Sequence, residues 1–143
     1  MRLTIQSDPL SVRSALQTIM GQFGSDELQP NDAATLEIVL AEVMNNIVEH
    51  AYRKRPDGKI RFCANKTETS IWCSFIDNGL PMPDNSTPAG LLRQLDGPTD
   101  ELPEGGFGWF LIRDLAQNLT YSRIRNRNFL RLRLALDCPE GAQ

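Results

Sequence analysis

Apolar residues between positions 36 and 52 recur at the spacing of one helical face, which predicts a long amphipathic helix that ends between 53 and 56. The apolar set is Leu36, Leu40, Val43, Met44, Ile47 and Ala51. Along the border of that face, Glu42, Asn46 and His50 follow one another every fourth residue. Because a step of four residues drifts only about 40° around a helix axis, these side chains form a polar stripe beside the buried face. An ordinary helix with a solvated flank explains this stripe too, so the stripe alone assigns no function. His50 is interpreted as a helix-end packing or hydrogen-bonding residue.

The segments before this helix carry simpler signals. Residues 2–6 alternate polar and apolar, which predicts a short strand. Ser7-Asp8-Pro9 then starts a helix, because a capping side chain precedes a proline that needs no amide donor. We expect that helix to end at Gly24-Ser25 and Asn31 or Asp32 to cap the long helix that follows.

Residues 59–65 and 70–76 predict two strands joined by a short polar loop, hence a hairpin. The second strand is apolar on both faces, which predicts a central position in the sheet, covered on both sides. It leads directly into Asp77-Asn78-Gly79. Residues 80–104 are rich in Pro, Asp and Gly, and only 89–95 could form a short helix. A loop of this length in a compact domain is usually functional or mobile.

A glycine cluster at 105–108 is expected to open a helix over 109–118, and a terminal hairpin follows. The leucines at 130, 132, 134 and 136 alternate with mostly polar residues, so one face of the last strand is core. Arg123, Arg125 and Arg127 near the turn are interpreted as solvated strand residues rather than a nucleic-acid patch. Together the elements predict an α+β fold, a two-layer sandwich of mostly antiparallel sheet with helices on one face.

Composition narrows the class of protein. The chain of 143 residues suits one domain over residues 1–143, and its net charge of -3 argues against general affinity for nucleic acid. No apolar run approaches the length of a membrane span, and the N-terminus lacks a secretory signal. The odd number of cysteines, Cys63, Cys73 and Cys138, fits small buried hydrophobes in a reducing cytoplasm. A single histidine excludes a His-rich zinc site.

Three polar clusters require a joint explanation. Glu42 and Asn46 offer a base and a hard oxygen that Mg2+ accepts. Asp77 at a strand end can accept a hydrogen bond from an exocyclic amine, and Gly79 leaves room for a flat ring. Glycines before a helix expose amide donors at its positive end, which suits a phosphate. Each cluster has an ordinary interpretation as a turn or a tight connection, but their joint occurrence in this order favours a nucleotide site.

The order E-x-x-x-N-x-x-x-H on a helix, D-x-G after a strand and G-G-x-G opening a helix resembles the GHKL ATP-binding fold. That superfamily includes histidine kinase catalytic domains, DNA gyrase B and MutL. Within it, the stretches AEVMNNIVEHAY, DNGLP and GGFGWFLIRDL and the final YSR…NFLRL hairpin are similar to small bacterial anti-sigma-factor serine kinases. The resemblance extends over residues 1–136.

The resemblance implies roles for individual residues. Glu42 would be the catalytic base that prepares a substrate hydroxyl, and Asn46 would bind Mg2+. Asp77 would read the adenine amino group, and residues 80–104 would form the ATP lid. The residues assigned to the nucleotide are Asn46, Asp77, Gly79, Gly105, Gly106 and Gly108.

As a whole, the resemblance implies a cytoplasmic ATP-dependent serine/threonine kinase that acts as an anti-sigma factor. It would bind a sigma factor and phosphorylate a small antagonist protein in a partner-switching system. Nucleic acid and membranes are not expected partners, and a homodimer is left open.

One departure from the family bears on the chemistry. Pro103-Glu104 stands where some of these kinases carry an arginine that touches the γ-phosphate, although Arg93 could substitute for it. Two alternatives therefore stay open. The chain could be a nucleotide-binding regulator without transferase activity, or a stand-alone histidine-kinase-type catalytic domain acting on another protein's histidine.

Overall fold

The computed structural model describes residues 1–82 and 105–137, apart from the side chains of 24–27 and 105–107. Its elements are β1 (Arg2–Gln6), α1 (Pro9–Glu27), α2 (Pro30–Asn46), a π-helical segment (Ile47–Ala51), β2 (Lys59–Lys66), β3 (Ser70–Asp77), α3 (Gly105–Leu115), β4 (Gln117–Ile124) and β5 (Arg127–Ala135). None of the helices in these ranges is long and apolar enough to cross a membrane. The short helix predicted at 89–95, Arg93, Pro103-Glu104 and Cys138 lie outside the described residues.

The strands form a five-stranded antiparallel sheet in the order β1-β2-β3-β5-β4, and the α+β prediction is confirmed. Alternate strand residues point into one core that they share with the helices, and the leucines at 130, 132 and 134 lie there as predicted. We call the opposite side of the sheet the outer face. Strand β3 is central, but the prediction that both its faces are covered is wrong. Trp72, Ser74 and Ile76 are only half-buried on the outer face, where the Arg131 guanidinium lies 4.4 Å from the Trp72 ring centroid.

The start of α1 agrees with the prediction, whereas the end of α1 and the start of α2 differ from it. Helix α1 starts as expected, because the Asp8 carboxylate accepts a hydrogen bond from Ser11 N at 2.8 Å, and this bond lowers the pKa of Asp8. It continues through Gly24-Ser25 to Glu27. Helix α2 starts at Pro30 with Gln29 at the N-cap position, so neither Asn31 nor Asp32 is its cap. Asp32 is buried instead and accepts a hydrogen bond from Asp137 N at 3.0 Å, which joins the chain after β5 to α2.

The long central helix does not stay regular to its end. After Asn46 it widens into the π-helical segment, in which Tyr52 N donates to Ile47 O at 3.0 Å. A π-turn holds more residues than an α-turn, so the four-residue spacing no longer keeps side chains in one stripe. Asn46 is buried, whereas the His50 side chain is 58% exposed and lies 3.8 Å from the Glu49 carboxylate. Neither the packing nor the hydrogen bonding expected of His50 is observed among the described residues.

Tyr52 joins the end of this helix to the sheet. Its hydroxyl donates to Lys59 O at 2.5 Å and accepts from Asn78 N at 2.9 Å. The ring lies against Gly58, where an added Cβ would be 2.4 Å from a ring carbon. Burial raises the pKa of the Tyr52 hydroxyl, which remains a donor at neutral pH. One phenol therefore fixes the starts of two segments, β2 and the chain after β3, against the helix end.

The described cysteines behave as small hydrophobes. Cys73 is buried on the core side of β3, and burial raises the pKa of its thiol to about 12. Cys63 is half-buried on the neighbouring strand, and neither thiol is in a disulfide. A thiol with such a raised pKa stays protonated and unreactive at neutral pH, which agrees with a packing role.

A pair of glycine variants tests this account of Tyr52. Gly58→Ala should lower the free energy of unfolding by about 1–3 kcal/mol, because the new methyl overlaps a ring whose hydroxyl is fixed by two hydrogen bonds. Gly21→Ala is the control: it lies inside α1 with no heavy atom within 4 Å of an added Cβ, and should raise that free energy by about 0.5–1 kcal/mol. Urea unfolding measures both, and equal effects of the two substitutions would contradict the packing described.

Candidate functional site

Helix α3 approaches α2 closely at one point. An added Cβ at Gly108 would lie 2.5 Å from Glu42 Oε2 and 3.1 Å from Asn46 Nδ2. A side chain at this position would displace the Glu42 carboxylate and crowd the Asn46 amide, so glycine lets the start of α3 lie against this pair without moving them. The structure thus brings together Glu42, Asn46 and Gly108, which the sequence had assigned to one site.

The glycine cluster forms part of α3 rather than preceding it. Helix α3 begins at Gly105, not at Trp109, and ends at Leu115. Gly105, Gly106 and Gly108 therefore lie in its first turns, where backbone N–H groups have no acceptor within the helix. These groups and the helix dipole make this end of α3 suited to an anion.

Asn46 has a defined orientation. Its side chain is buried, and Nδ2 donates to the Glu42 carbonyl at 2.7 Å. Asn46 Oδ1 accepts no hydrogen bond from the described residues and is free to ligate a cation. Residues 1–82 and 105–137 contain no cluster of three His, Cys, Asp or Glu side chains that could hold a metal. A hard oxygen of this kind fits Mg2+ when phosphate oxygens and water supply the remaining ligands.

Asp77 ends β3 on the core side and is 5% exposed. Its Oδ1 accepts two hydrogen bonds, from Gly79 N and from Asn128 Nδ2, each at 2.8 Å. Its Oδ2 accepts none from the described residues. Burial raises the pKa of this carboxyl group, although the bonds from Asn128 and Gly79 and the charge of Arg123 oppose the shift. A buried carboxylate oxygen without a donor is costly, so Asp77 is prepared to accept a hydrogen bond from a ligand.

Asn128 orients this carboxylate, and sequence reasoning did not assign it a role. Its Oδ1 accepts from the Tyr121 hydroxyl at 2.5 Å and from Arg123 Nη1 at 2.9 Å. Its Nδ2 donates to Asp77 Oδ1 and to Leu80 O, each at 2.8 Å. Because a guanidinium only donates, Asn128 Oδ1 must accept from Arg123, and Nδ2 must then donate to Asp77. A proton on Asp77 would consequently lie on Oδ2.

The β4–β5 hairpin also fixes the chain that follows β3. Arg123 Nη1 donates to Gly79 O at 2.9 Å, and Met82 N donates to the Tyr121 hydroxyl at 3.0 Å. Arg123 is therefore half-buried in the site, and its interpretation as a solvated arginine is wrong; Arg125 and Arg127 are exposed as expected.

The turn at Arg125 and Asn126, with φ of 52° and 63°, sets the register that places Arg123 opposite Asn128. The spacing of these two residues around the turn was visible in the sequence. It places both polar side chains on the core side of the hairpin, which could have indicated their role.

Gly79 is required by packing as well. An added Cβ there would lie 2.5 Å from Ala51 O, and Leu80 N donates to the same carbonyl at 2.8 Å. The strand end that carries Asp77 is therefore joined to the helix end that follows Asn46. The earlier reason for a glycine, the approach of a flat ring, stays a prediction.

The sequence profile of the family described as histidine kinase-like ATPase domain matches residues 5–134 of this chain. The serine-protein kinase RsbW of Staphylococcus epidermidis is 30% identical over 105 residues, a match that covers 72% of this chain and 66% of that kinase. The chain thus spans just under two thirds of the length of this relative.

Solved structures share the fold at lower identity. The SiaB-SiaC complex from Pseudomonas aeruginosa gives a TM-score of 0.61 at 16% identity, covering 95% of this chain and 89% of that chain. The mycobacterial sensor histidine kinase MprB gives 0.54 at 12% identity, covering 96% and 99%. At these identities the likeness shows the fold alone.

Asn128→Ala tests the role of the hairpin in the site. Removing the amide takes a donor from the ionised form of Asp77, so the pKa of Asp77 should rise further. The groups that now bond to the Asn128 amide would lose a buried hydrogen-bond partner. This loss should lower the free energy of unfolding by about 1–3 kcal/mol. Carbon-13 NMR titration of the Asp77 carboxyl group and urea unfolding measure the two effects.

Ser122→Ala, at an exposed position of the same hairpin, is the matched control and should change neither quantity. An Asp77 pKa that is the same in Asn128→Ala and the parent would contradict the assigned hydrogen bond.

Proposed function

Because this chain belongs to the histidine kinase-like ATPase domain family, we propose that it binds ATP with Mg2+ and phosphorylates a serine or threonine of a small antagonist protein. In this proposal it is an anti-sigma factor, and phosphorylation of the antagonist controls release of the sigma factor. The observation that carries the nucleotide part is Asp77, a buried carboxylate whose Oδ1 accepts two hydrogen bonds while its Oδ2 accepts none from the described residues.

Asp77 would select adenine by hydrogen-bond chemistry. Its Oδ2 accepts from the exocyclic amine of adenine, while Oδ1 stays bonded to Gly79 and Asn128. Guanine presents a carbonyl oxygen at the corresponding position, and two acceptors repel each other. The pocket would therefore distinguish the two purines through the protonation state of a single carboxyl group.

Asn46 and the first turns of α3 would bind the other end of the nucleotide. Asn46 Oδ1 is oriented for a cation because its Nδ2 is engaged by the Glu42 carbonyl. Backbone N–H groups at Gly105, Gly106 and Gly108 would donate to phosphate oxygens. Bound Mg2+ supplies positive charge that stabilises the transferring phosphoryl group.

Glu42 would act as the general base. Its carboxylate lies beside Gly108 and is half-buried, so a protein hydroxyl can reach it from solvent. The hydroxyl oxygen attacks the γ-phosphorus, the bond to the β-phosphate oxygen breaks, and ADP leaves. The hydroxyl proton passes to Glu42. Similarity to serine-protein kinases at 30% identity supports a hydroxyl acceptor over a histidine.

The partners follow from the resemblance to anti-sigma-factor kinases. A sigma factor and a small antagonist are the proposed partners, which would place the protein in the cytoplasm; self-association as a homodimer is compatible with the proposal. The alternative of a binding regulator without transferase activity is favoured by Pro103-Glu104, which stands where related kinases carry a cation for the γ-phosphate. Phosphate transfer is therefore tested separately from nucleotide binding.

Asp77→Asn should weaken ADP binding by about 10- to 100-fold, because the amide presents a donor to the adenine amine. The wild-type affinity should fall as pH decreases towards the raised pKa of Asp77, since a protonated Oδ2 also becomes a donor. ADP binding by Asp77→Asn should lack this part of the pH dependence. The part that comes from titration of the ADP phosphates is the same for both proteins. Isothermal titration calorimetry across pH measures the difference, and an unchanged ADP affinity would remove the adenine assignment.

Stability provides the folding control for this variant. An amide in place of the carboxylate can accept the same two hydrogen bonds and carries no buried charge, so Asp77→Asn should be at least as stable as the parent at pH 7. The raised folded-state pKa means that the neutral carboxyl is favoured in the fold. Any excess in the free energy of unfolding of Asp77→Asn over the parent should therefore shrink as pH falls through that pKa.

Glu42→Gln should separate binding from chemistry. The amide keeps the shape of the side chain but cannot accept the hydroxyl proton, so ATP affinity should stay near that of the parent. Phosphate transfer to the antagonist should fall by about 100- to 10,000-fold. Affinity and phosphate incorporation are measured side by side, with Glu37→Gln on the same helix as the matched control.

Transfer by Glu42→Gln at the parental rate would place the base elsewhere. A parent that binds ATP but transfers no phosphate to its partner would favour the regulator. Acid stability of the product separates a phosphoserine from a phosphohistidine.

A further inference from the structure

Positive charge is concentrated on the outer face of the sheet. Strand alternation places the following cations there: Arg2, Lys59, Arg61, Arg127, Arg131 and Arg133. No strand position on this face carries an acidic side chain; the one acid in the strands, Asp77, points into the core. Since the whole chain has a net charge of -3, its negative charge lies elsewhere.

These cations are not neutralised by the described part of the chain. None of them lies within ion-pair distance of an acidic side chain in residues 1–82 and 105–137. In the part of the chain that the structure describes, Arg133 donates to neutral groups, the Ser70 hydroxyl and the Asn118 and Gln117 side chains. Arg131 lies over the Trp72 ring. Several like charges on one surface repel one another, and an anionic partner would relieve that repulsion.

The cations surround a half-buried apolar centre. The strand register places Arg61, Ile76 and Phe129 side by side in one row across the sheet. The neighbouring row contains Arg2 at one edge and Arg131 further across. Exposed cations around aromatic and aliphatic groups are typical of a protein-binding surface, in which apolar contact supplies affinity and charge supplies selection.

We propose that the outer face of the sheet is a docking surface for an acidic segment of a partner protein. Its acidic side chains would pair with Arg61, Arg131 and the cations beside them, and an apolar side chain would cover Ile76 and Phe129. This surface is distinct from the nucleotide site, whose side chains point to the opposite side of the sheet, and the inference does not rest on ATP binding.

Charge also argues against other occupants. Two copies of the chain placed face to face would bring the same cations together, which opposes a symmetric dimer through this surface. Nucleic acid would meet these cations but would also be repelled by the net negative charge of the remainder. A short acidic segment of a protein would contact the cations of the outer face without approaching the negatively charged remainder of the chain.

The test uses the intact chain and fluorescently labelled poly-L-glutamate, measured by anisotropy at several salt concentrations. Arg61→Glu and Arg131→Glu should each weaken binding by about tenfold or more, and added salt should weaken the parent. Arg13→Glu is the matched control, because it makes the same change in net charge at an exposed position of α1. Thermal melting of each variant checks that it folds.

Binding that depends on Arg61 and Arg131 but not on Arg13 supports the proposal. Equal losses in all three variants would show a net-charge effect and overturn it, as would no binding by the parent. If an oligonucleotide binds more tightly than poly-L-glutamate, and if Arg61→Glu and Arg131→Glu weaken its binding while Arg13→Glu does not, the outer face would be assigned to nucleic acid instead. A dimer in sedimentation that Arg61→Glu dissociates would make it an interface between copies.

Discussion

The two hydrogen bonds to Asp77 Oδ1 are the interaction on which the candidate site depends. A carboxylate inside a protein core is tolerated only when donors compensate for the water it has lost. Here Gly79 N and Asn128 Nδ2 compensate one oxygen, and the other has no donor among residues 1–82 and 105–137, so within these ranges the charge is half-satisfied. Burial raises the pKa of Asp77, and the bonds from Asn128 and Gly79 and the charge of Arg123 oppose that rise only in part. A ligand amine would remove the imbalance, which is a physical reason for ligand binding at this point.

Asn128 extends this constraint into the backbone. The same amide that orients Asp77 donates to Leu80 O, and its neighbours Arg123 and Tyr121 bond to Gly79 O and Met82 N. The carboxylate and the chain that leaves β3 are therefore fixed by one hairpin. A substitution in that hairpin would alter the Asp77 carboxylate, to which we assign base recognition, and the start of the following segment together, because both depend on a single set of side chains.

Local patterns in the sequence predicted most of the elements, and their limits explain what was missed. The Asp8 cap and the alternation in β1 and β5 are properties of neighbouring residues, so the sequence shows them directly. The joint order of Glu42, Asn46, Asp77 and the glycines identified the family because the motifs are specific.

The misses concern features that residue type and local periodicity do not show. Asp32 is a good helix cap by type, but its donor, Asp137 N, comes from the far end of the chain. The π-helical segment changes no residue type, so periodicity could not reveal it. Arg123 has the composition of a solvated strand residue, and only its register opposite Asn128 places it in the site.

The site is built on two supports that meet at one carbonyl. Glu42 and Asn46 lie on α2 with Gly108 of α3 against them, while Asp77 is fixed by the β4–β5 hairpin. The two supports join where Leu80 N bonds to Ala51 O, at the end of the π-helical segment. Because a π-turn shifts every residue after it, how α2 ends sets the position of that carbonyl. It thereby sets the spacing between Asp77 and the Glu42–Asn46 pair, the proposed base and phosphate ends of the site. The irregular helix end therefore contributes to the geometry of the site, and an α-helical turn there would change the register between its two halves.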